Sequence, residues 1–440
     1  MPSLRRVPGR TTRADPRGVG LAGPGDLALA GRLWRVLLAA VLGLFPFTIY
    51  STFVVTIAAE AGVDAGTASG LRGLGGVTAL IAGLVAAPLL SRWSTDRLAA
   101  VALGVLAGTS TVATAGGLPA LVAFCLGTGV ATALLTPALL TAATSAFADG
   151  AVAGRAATLV TATQSLAAVL SGPVIGALAW WQGWAGAMWA TAVLSAALGV
   201  SFWLRPAGVS AAVPASSADG DGAGAGPGTW AYLDAYRALL ARPDLLRLIA
   251  VAFLRTASFM GYLSFLALYY ARALDVEGPV FTLVWTLSGA AFFVGNYLAG
   301  RWLAGRWLAG RWLARPATTT GAGAAPNRTV LLLGLGGATA AVLAVFHAGN
   351  LAVALGATAV LAFCHAVVAA ALTTALARTA GTVAPTAFAV NAAGMSLGVF
   401  AGALLGGAGL AAGGFTGAAV ALAAPTLGAF ALCARLARRA

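Results

Sequence analysis

The run LWRVLLAAVLGLFPFTIYSTFVVTIA, residues 33–58, decides the fold class. A helix crosses roughly 30 Å of hydrocarbon with about 20 apolar residues, and this run exceeds that length. A secretory signal would carry an apolar core of only about 7–15 residues. The run is therefore expected to stay as a membrane helix, preceded by a polar, Arg-rich tail over residues 1–32. Comparable runs follow near 71–90, 98–116, 120–143, 157–180 and 185–204. A second set lies near 247–270, 280–299, 329–346, 351–374, 387–410 and 415–433, with soft breaks at Gly116–Pro119 and Gly413–Gly414. The predicted class is an all-α integral membrane protein with twelve transmembrane helices in two six-helix pseudo-repeats.

Composition agrees with burial in lipid. Of 440 residues, 60% are hydrophobic and 9% charged, whereas a soluble domain carries about 25% charged residues. All 26 basic residues are Arg. A Walker A loop needs its Lys, so ATP hydrolysis through such a loop is excluded. The formal charge of +14 suits either nucleic acid or an anionic membrane surface. The distribution selects the membrane. With both termini in the cytoplasm, every Arg except Arg72, Arg255 and Arg272 falls on the inner side, as the positive-inside rule expects. Glu60, Asp64, Asp275 and Glu277 fall in the outer loops. The expected location is the cytoplasmic membrane. Cys125, Cys364 and Cys433 stand far apart in apolar runs, with neither a disulfide framework nor zinc spacing.

Residues 206–229, PAGVSAAVPASSADGDGAGAGPGT, have linker composition. Behind them Trp230, Leu233, Tyr236 and Leu240 recur at helical spacing, which predicts a short amphipathic helix on the inner surface. The expected organisation is a six-helix half over 33–205, a cytoplasmic linker over 206–245, a second half over 246–434 and a tail over 435–440. The halves echo each other. Gly172-Pro-Val-Ile-Gly176-Ala-Leu in the fifth helix answers Gly398-Val-Phe-Ala-Gly402-Ala-Leu in the eleventh, and Ser91-Arg92-Trp93 answers Gly300-Arg301-Trp302. Parallel repeats joined by a linker are a known transporter plan. Residues 300–314 triplicate Gly-Arg-Trp-Leu-Ala, whose Arg and Trp suit a headgroup layer.

These features resemble the major facilitator superfamily over nearly the whole chain. Pro88-Leu-Leu-Ser-Arg92-Trp-Ser-Thr-Asp96-Arg97 is similar to that family's loop motif G-x-L-a-D-R-x-G-R-R, with Ser91 at the acidic position and Ser94 at the Gly position. Gly172-Pro173-x-x-Gly176 looks like the end of the antiporter motif, and Gly183-Trp184 is similar to the family's Gly-Trp before helix six. The resemblance implies a monomeric secondary transporter, not an enzyme, moving a small organic solute by alternating access without cofactor or metal. Efflux of a drug-like or hydrophobic compound is the expected direction. A uniporter or importer of a neutral or anionic metabolite is the alternative, with a polytopic membrane enzyme more remote. The fourth-helix Arg of proton antiporters is missing: the positions that would carry it hold Ala123 or Cys125.

Polar groups inside a bilayer are costly and so become functional candidates. No span carries an Asp or Glu well inside it, which leaves a coupling proton without a carboxylate relay. Arg255 either meets an anion or snorkels toward the inner interface. His365, with its pKa near neutrality in water, suits proton handling or a hydrogen-bonded place in the bundle. Gln164 and Asn391 precede the matched glycine motifs by similar spacings and are candidates for the cavity wall; helix–helix hydrogen bonding is their other use. Tyr262 and Tyr50 complete the candidate cavity and coupling set. Arg92, Asp96 and Arg97 form the loop motif, and Gly172, Pro173, Gly176, Gly398 and Gly402 are expected at close helix contacts.

Overall fold

The computed structural model describes residues 26–90, 93–147, 149–205, 236–303 and 328–435, and the described chain is helical. The first span is built in three pieces, α1 (Asp26–Leu42), α2 (Phe45–Thr52) and α3 (Val54–Ala61). Pro46 lies in the first turn of α2, where a missing N–H costs nothing. There follow α4 (Ala65–Leu90), α5 (Thr95–Ala113), α6 (Gly117–Ser145) and α7 (Gly150–Trp203). The second half holds α8 (Pro243–Leu274), α9 (Gly278–Leu303), α10 (Arg328–Phe346), α11 (Leu351–Ala380) and α12 (Ala384–Arg435). Ten segments among the described residues are long and apolar enough to cross a bilayer.

Two of those segments are too long for one crossing. α7 has 54 residues and α12 has 52; at 1.5 Å per residue each would run about 80 Å if straight. Both turn back on themselves at a glycine. Gln182 and Gly183 have φ/ψ of −145/36° and 61/−152°, and Gly413 and Gly414 repeat this with −155/29° and 59/−148°. The second residue of each pair occupies backbone space that only Gly adopts at low cost. The return is tight in α12, where a β-carbon on Gly409 would come within 2.5 Å of the Gly417 carbonyl oxygen. Matching angles at matching positions in the two halves support a repeat. So does the packing: α4 and α5 meet α6 and α5 meets α7, while α9 and α10 meet α11 and α10 meets α12.

The linker end of the molecule carries Arg205 and Tyr236; the far end carries the turns at 62–64 and 275–277. Residues 236–240 are helical, with Leu239 buried and Leu240 exposed, so the buried position falls one residue before the one the apolar spacing picks out. Trp230, Leu233 and the Gly-Arg-Trp-Leu-Ala copies from Ala304 onward lie outside the described residues. At the linker end of α5, Ser94 caps the helix by accepting from the Arg97 N–H at 3.4 Å. Asp96 is buried in the first turn and pairs with Arg205 at 3.3 Å. Arg97 is exposed, and Arg92 lies outside the described residues. Removing one partner of a buried charge pair strands the other. Asp96→Ala is expected to cost about 1–3 kcal/mol, seen as a lower thermal midpoint in detergent, with the Asp96→Ala/Arg205→Ala double variant no worse than the single one.

The halves meet along two seams, α4 with α12 and α7 with α9. Both close without side chains between the backbones, since small residues permit near approach where lipid supplies no hydrophobic drive. A β-carbon on Gly76 would lie 2.9 Å from Phe400 N, and one on Gly289 would lie 2.5 Å from the Ala168 carbonyl. Gly176 faces Thr282 Oγ1 at 3.1 Å in the same sense, and Gly172 meets Thr282 and Thr286. The seams part toward the linker end. Among the described residues, Gly83, two turns beyond Gly76 on the same face, has nothing within 4 Å, and neither has Gly154, five turns before Gly172. The far end is pinned instead. Asp64 accepts from Arg272 across the halves at 3.4 Å, and Gly66 lies against Leu410. Among the described residues, a cleft between the halves therefore opens toward the linker end and is closed at the far end.

Asp64 also caps α4, accepting from the Thr67 N–H at 3.0 Å. That N–H, with Gly66 and Arg272 assisting, holds the Asp64 carboxyl below its usual range. A lowered value in the folded chain stabilises it above the ordinary carboxylate pKa of about 3.9, and the effect fades only as pH falls through the lowered value. Asp64→Ala should thus lower the thermal midpoint by the same modest amount, about 1 kcal/mol of capping, at about pH 5 and pH 8. The difference from the parent should shrink only in stronger acid.

Candidate functional site

A cavity opens near the linker end of the second half, between α8, α11 and α12. Its wall is mostly apolar, with Leu248, Leu372, Leu376 and Met395, and its polar groups are Arg255, Thr373 and Asn391. Arg255 is buried twelve residues into α8, about 18 Å from the start of the helix. Its guanidinium does not run back toward the interface. It crosses to α11, where Nη1 donates to the His365 carbonyl at 3.4 Å, and Nη2 donates to Thr256 Oγ1 at 3.2 Å. Both bonds are long, and no carboxylate pairs with Arg255 among the described residues. A guanidinium has five N–H donors in a fork suited to a carboxylate or sulfonate. Asn391 Nδ2 donates to Met395 Sδ at 3.6 Å on the facing wall, which keeps its amide in the cavity. At the linker end of the same helices, Arg242 pairs with Asp244 at 2.9 Å and donates to the Thr379 carbonyl at 3.0 Å.

His365 lies behind this wall. Its ring is fully buried, packs tilted on Phe259 at 4.6 Å between centroids, and has no hydrogen-bond partner on Nδ1 or Nε2 among the described residues. Tyr262 is also fully buried and donates to Thr358 Oγ1 at 3.0 Å; the Tyr270 hydroxyl meets the same atom at 3.0 Å. That arrangement joins α8 to α11 above the cavity. Tyr50 donates to the Ala68 carbonyl at 2.6 Å and packs on Phe124, which ties α2 to α4. Gln164 stands on the other half, half-buried on α7, beside the exposed Thr158 and Thr161. That face, continued through Ser165 and Ala168 to Gly172, forms the seam deeper in and lines the cleft toward the linker end. Pro173 sits inside α7 beside Gly172 and is exposed. Gly398 and Gly402 lie within the second half instead, against Thr256, Ala257 and Gly261 of α8. Glu60, the carboxylate nearest a span, accepts from Trp184 Nε1 at 2.9 Å and is exposed at the far end.

The structure sets one further cation within a helical span. The apolar run near 71–90 puts Arg72 at the outer end of its span, whereas it sits two turns inside α4, partly buried, donating to Ser51 Oγ at 3.0 Å. Asp64-x-x-Thr67 was the available signal, because an Asp cap there starts the helix at Ala65. No group of His, Cys, Asp and Glu suited to a metal occurs among the described residues.

The family model of the major facilitator superfamily matches residues 36–327, well over half of the chain. The chain belongs to the major facilitator superfamily. It is accordingly a multi-pass membrane transporter of a solute and not an enzyme. No curated protein matches the sequence. Among solved structures, the chain is similar to a bacterial homologue of the human lysosomal transporter Spinster in an inward-facing, unoccupied conformation, at 14% identity and a TM-score of 0.65, covering 94% of this chain and 96% of that one. It is similar also to the nucleoside transporter NupG, at 13% identity and a TM-score of 0.69, covering 91% and 99%. A peptide transporter in complex with sulfate gives 14% identity and a TM-score of 0.67, covering 92% and 95%. At such identities the likeness is one of fold.

Proposed function

We propose that this superfamily member exports a small amphipathic organic anion across the cytoplasmic membrane by alternating access. The observation that carries this is Arg255, a buried guanidinium on a mostly apolar cavity wall with no carboxylate pairing with it among the described residues. An uncompensated cation costs several kcal/mol in a bilayer and is retained where it does something. An anion with an apolar body fits both the charge and the wall. Twelve spans follow if each fold-back in α7 and α12 counts as two, and the Arg-rich linker end then faces the cytoplasm. The same charge asymmetry supports export, since a basic vestibule gathers anions and the acidic Glu60, Asp64, Asp275 and Glu277 repel them outward.

Export of an anion needs no proton. A potential that is negative inside drives each negative charge outward with about 2.3 kcal/mol per 100 mV. This fits a chain with neither an intramembrane carboxylate nor the fourth-helix Arg. A second reading, coupling to a proton, is favoured by one observation, the buried His365 ring, whose two nitrogens have no partner among the described residues.

Energised inside-out vesicles, whose lumen is positive, test the substrate class. Vesicles containing the protein should accumulate p-toluenesulfonate, and should not accumulate p-toluenesulfonamide or a quaternary ammonium ion. Accumulation of the cation or the neutral amide alone would overturn the anion reading.

A further inference from the structure

Arg72 and Arg255 both lie within helical spans, one in each half, and neither pairs with a carboxylate among the described residues. Arg72 lies seven residues from the start of α4, about 10 Å from the far end of its helix, whereas Arg255 is nineteen residues, about 28 Å, from the far end of α8. They therefore stand at different depths along their helices. Arg72 is held by two contacts. One N–H goes to Ser51 Oγ at 3.0 Å, and the guanidinium lies over the Phe47 ring at 5.5 Å. A cation on an aromatic face with a hydroxyl beside it keeps most of its five donors unused. The nearby Tyr50 hydroxyl is committed to the Ala68 carbonyl, so it does not satisfy them. Arg72 remains partly accessible, unlike Arg255.

We infer that Arg72 and Ser51 form a second anion subsite, which a carboxylate or sulfonate group occupies on the far side of the transport cycle before release. This rests on the organic-anion reading above. Arg255 receives the anion from the open linker-end cleft, and Arg72 holds it once the far-end seam has parted. The acidic far-end mouth then favours its departure.

The test needs no transported substrate. Ser51→Cys is placed in a chain carrying Cys125→Ala, Cys364→Ala and Cys433→Ala, and intact cells are treated from outside. The reagents are the sulfonatoethyl and the trimethylammonium-ethyl methanethiosulfonates, with rates normalised to a free thiol in solution. The anionic reagent should react about tenfold faster, a difference of about 1.4 kcal/mol, and Arg72→Gln should abolish the preference. Equal normalised rates, or failure of both reagents to reach the introduced thiol from either side, would overturn the subsite. Should the chain stripped of its native cysteines not fold, the otherwise native Arg72→Gln protein supplies the second measurement. Its KM for p-toluenesulfonate added at the far side should rise about tenfold, with KM at the linker side within about twofold of the parent; equal changes on both sides, or none, would overturn it. Loss of the labelling preference leaves the Arg255 reading standing. An Arg255→Gln variant that still moves anions would sink that reading while leaving the labelling result in place.

Discussion

Replacing Arg255 with Gln lowers the rate of organic-anion movement by about a hundredfold and leaves neutral amphipathic compounds within about twofold. A charge-assisted hydrogen bond to an anion contributes about 1.5–3 kcal/mol, and about 1.4 kcal/mol is one factor of ten. Losing the charge and one of two forked bonds therefore reaches two factors of ten. The structural cost is small, because Arg255 makes only two long bonds, at 3.4 and 3.2 Å, and Gln retains a donor for Thr256. Arg255→Lys keeps the charge without the fork and should fall between. Initial rates in proteoliposomes, with thermal unfolding of each variant as a check on folding, decide this. Equal loss for anions and neutral compounds would mean that Arg255 is structural.

Gly289→Val should nearly abolish transport for a different reason. The Gly289 position meets backbone atoms: a β-carbon there would lie 2.5 Å from the Ala168 carbonyl and 2.7 Å from Val169 N. Backbone yields less readily than side chain, so α7 and α9 must separate by more than an ångström. The far-end closure then loses one of its two seams, and the state that opens to the linker end loses stability. Overpacking of this kind costs about 1–3 kcal/mol or more, enough to shift a two-state equilibrium by one or two factors of ten. Gly83→Val is the control, because none of the described residues lies within 4 Å of that position. Accessibility of Thr161→Cys to a bulky thiol reagent from the linker side should fall in Gly289→Val and stay unchanged in Gly83→Val.

Much of the frame was legible because lipid imposes it. Apolar runs located the helices, and the breaks between runs fell at the reversals, at the Gly183-Trp184 of the family resemblance and at the soft break Gly413–Gly414. Hydropathy is a property of single segments, so it survives without knowledge of neighbours. Helix ends are less well marked: the apolar run begins at Leu71, one residue before Arg72, but the Asp64 cap starts the helix six residues earlier. Partners were not legible at all. Gly172 and Gly398 occupy echoing motifs, yet one packs across the seam on α9 and the other within its own half on α8. Arg255, Asn391 and Met395 share a cavity although α8 and α12 are far apart in sequence. Tyr262 and Tyr270 converge on Thr358, a residue with no distinguishing mark in its apolar run.

The central claim, potential-driven movement of an organic anion through the Arg255 cavity, is tested most directly in proteoliposomes loaded with radiolabelled p-toluenesulfonate. A potassium-diffusion potential and a pH gradient are imposed separately. The account predicts that efflux accelerates when the lumen is made negative, ignores the pH gradient and is lost in Arg255→Gln. Efflux that follows the pH gradient and ignores the potential, or that persists in Arg255→Gln, would contradict it.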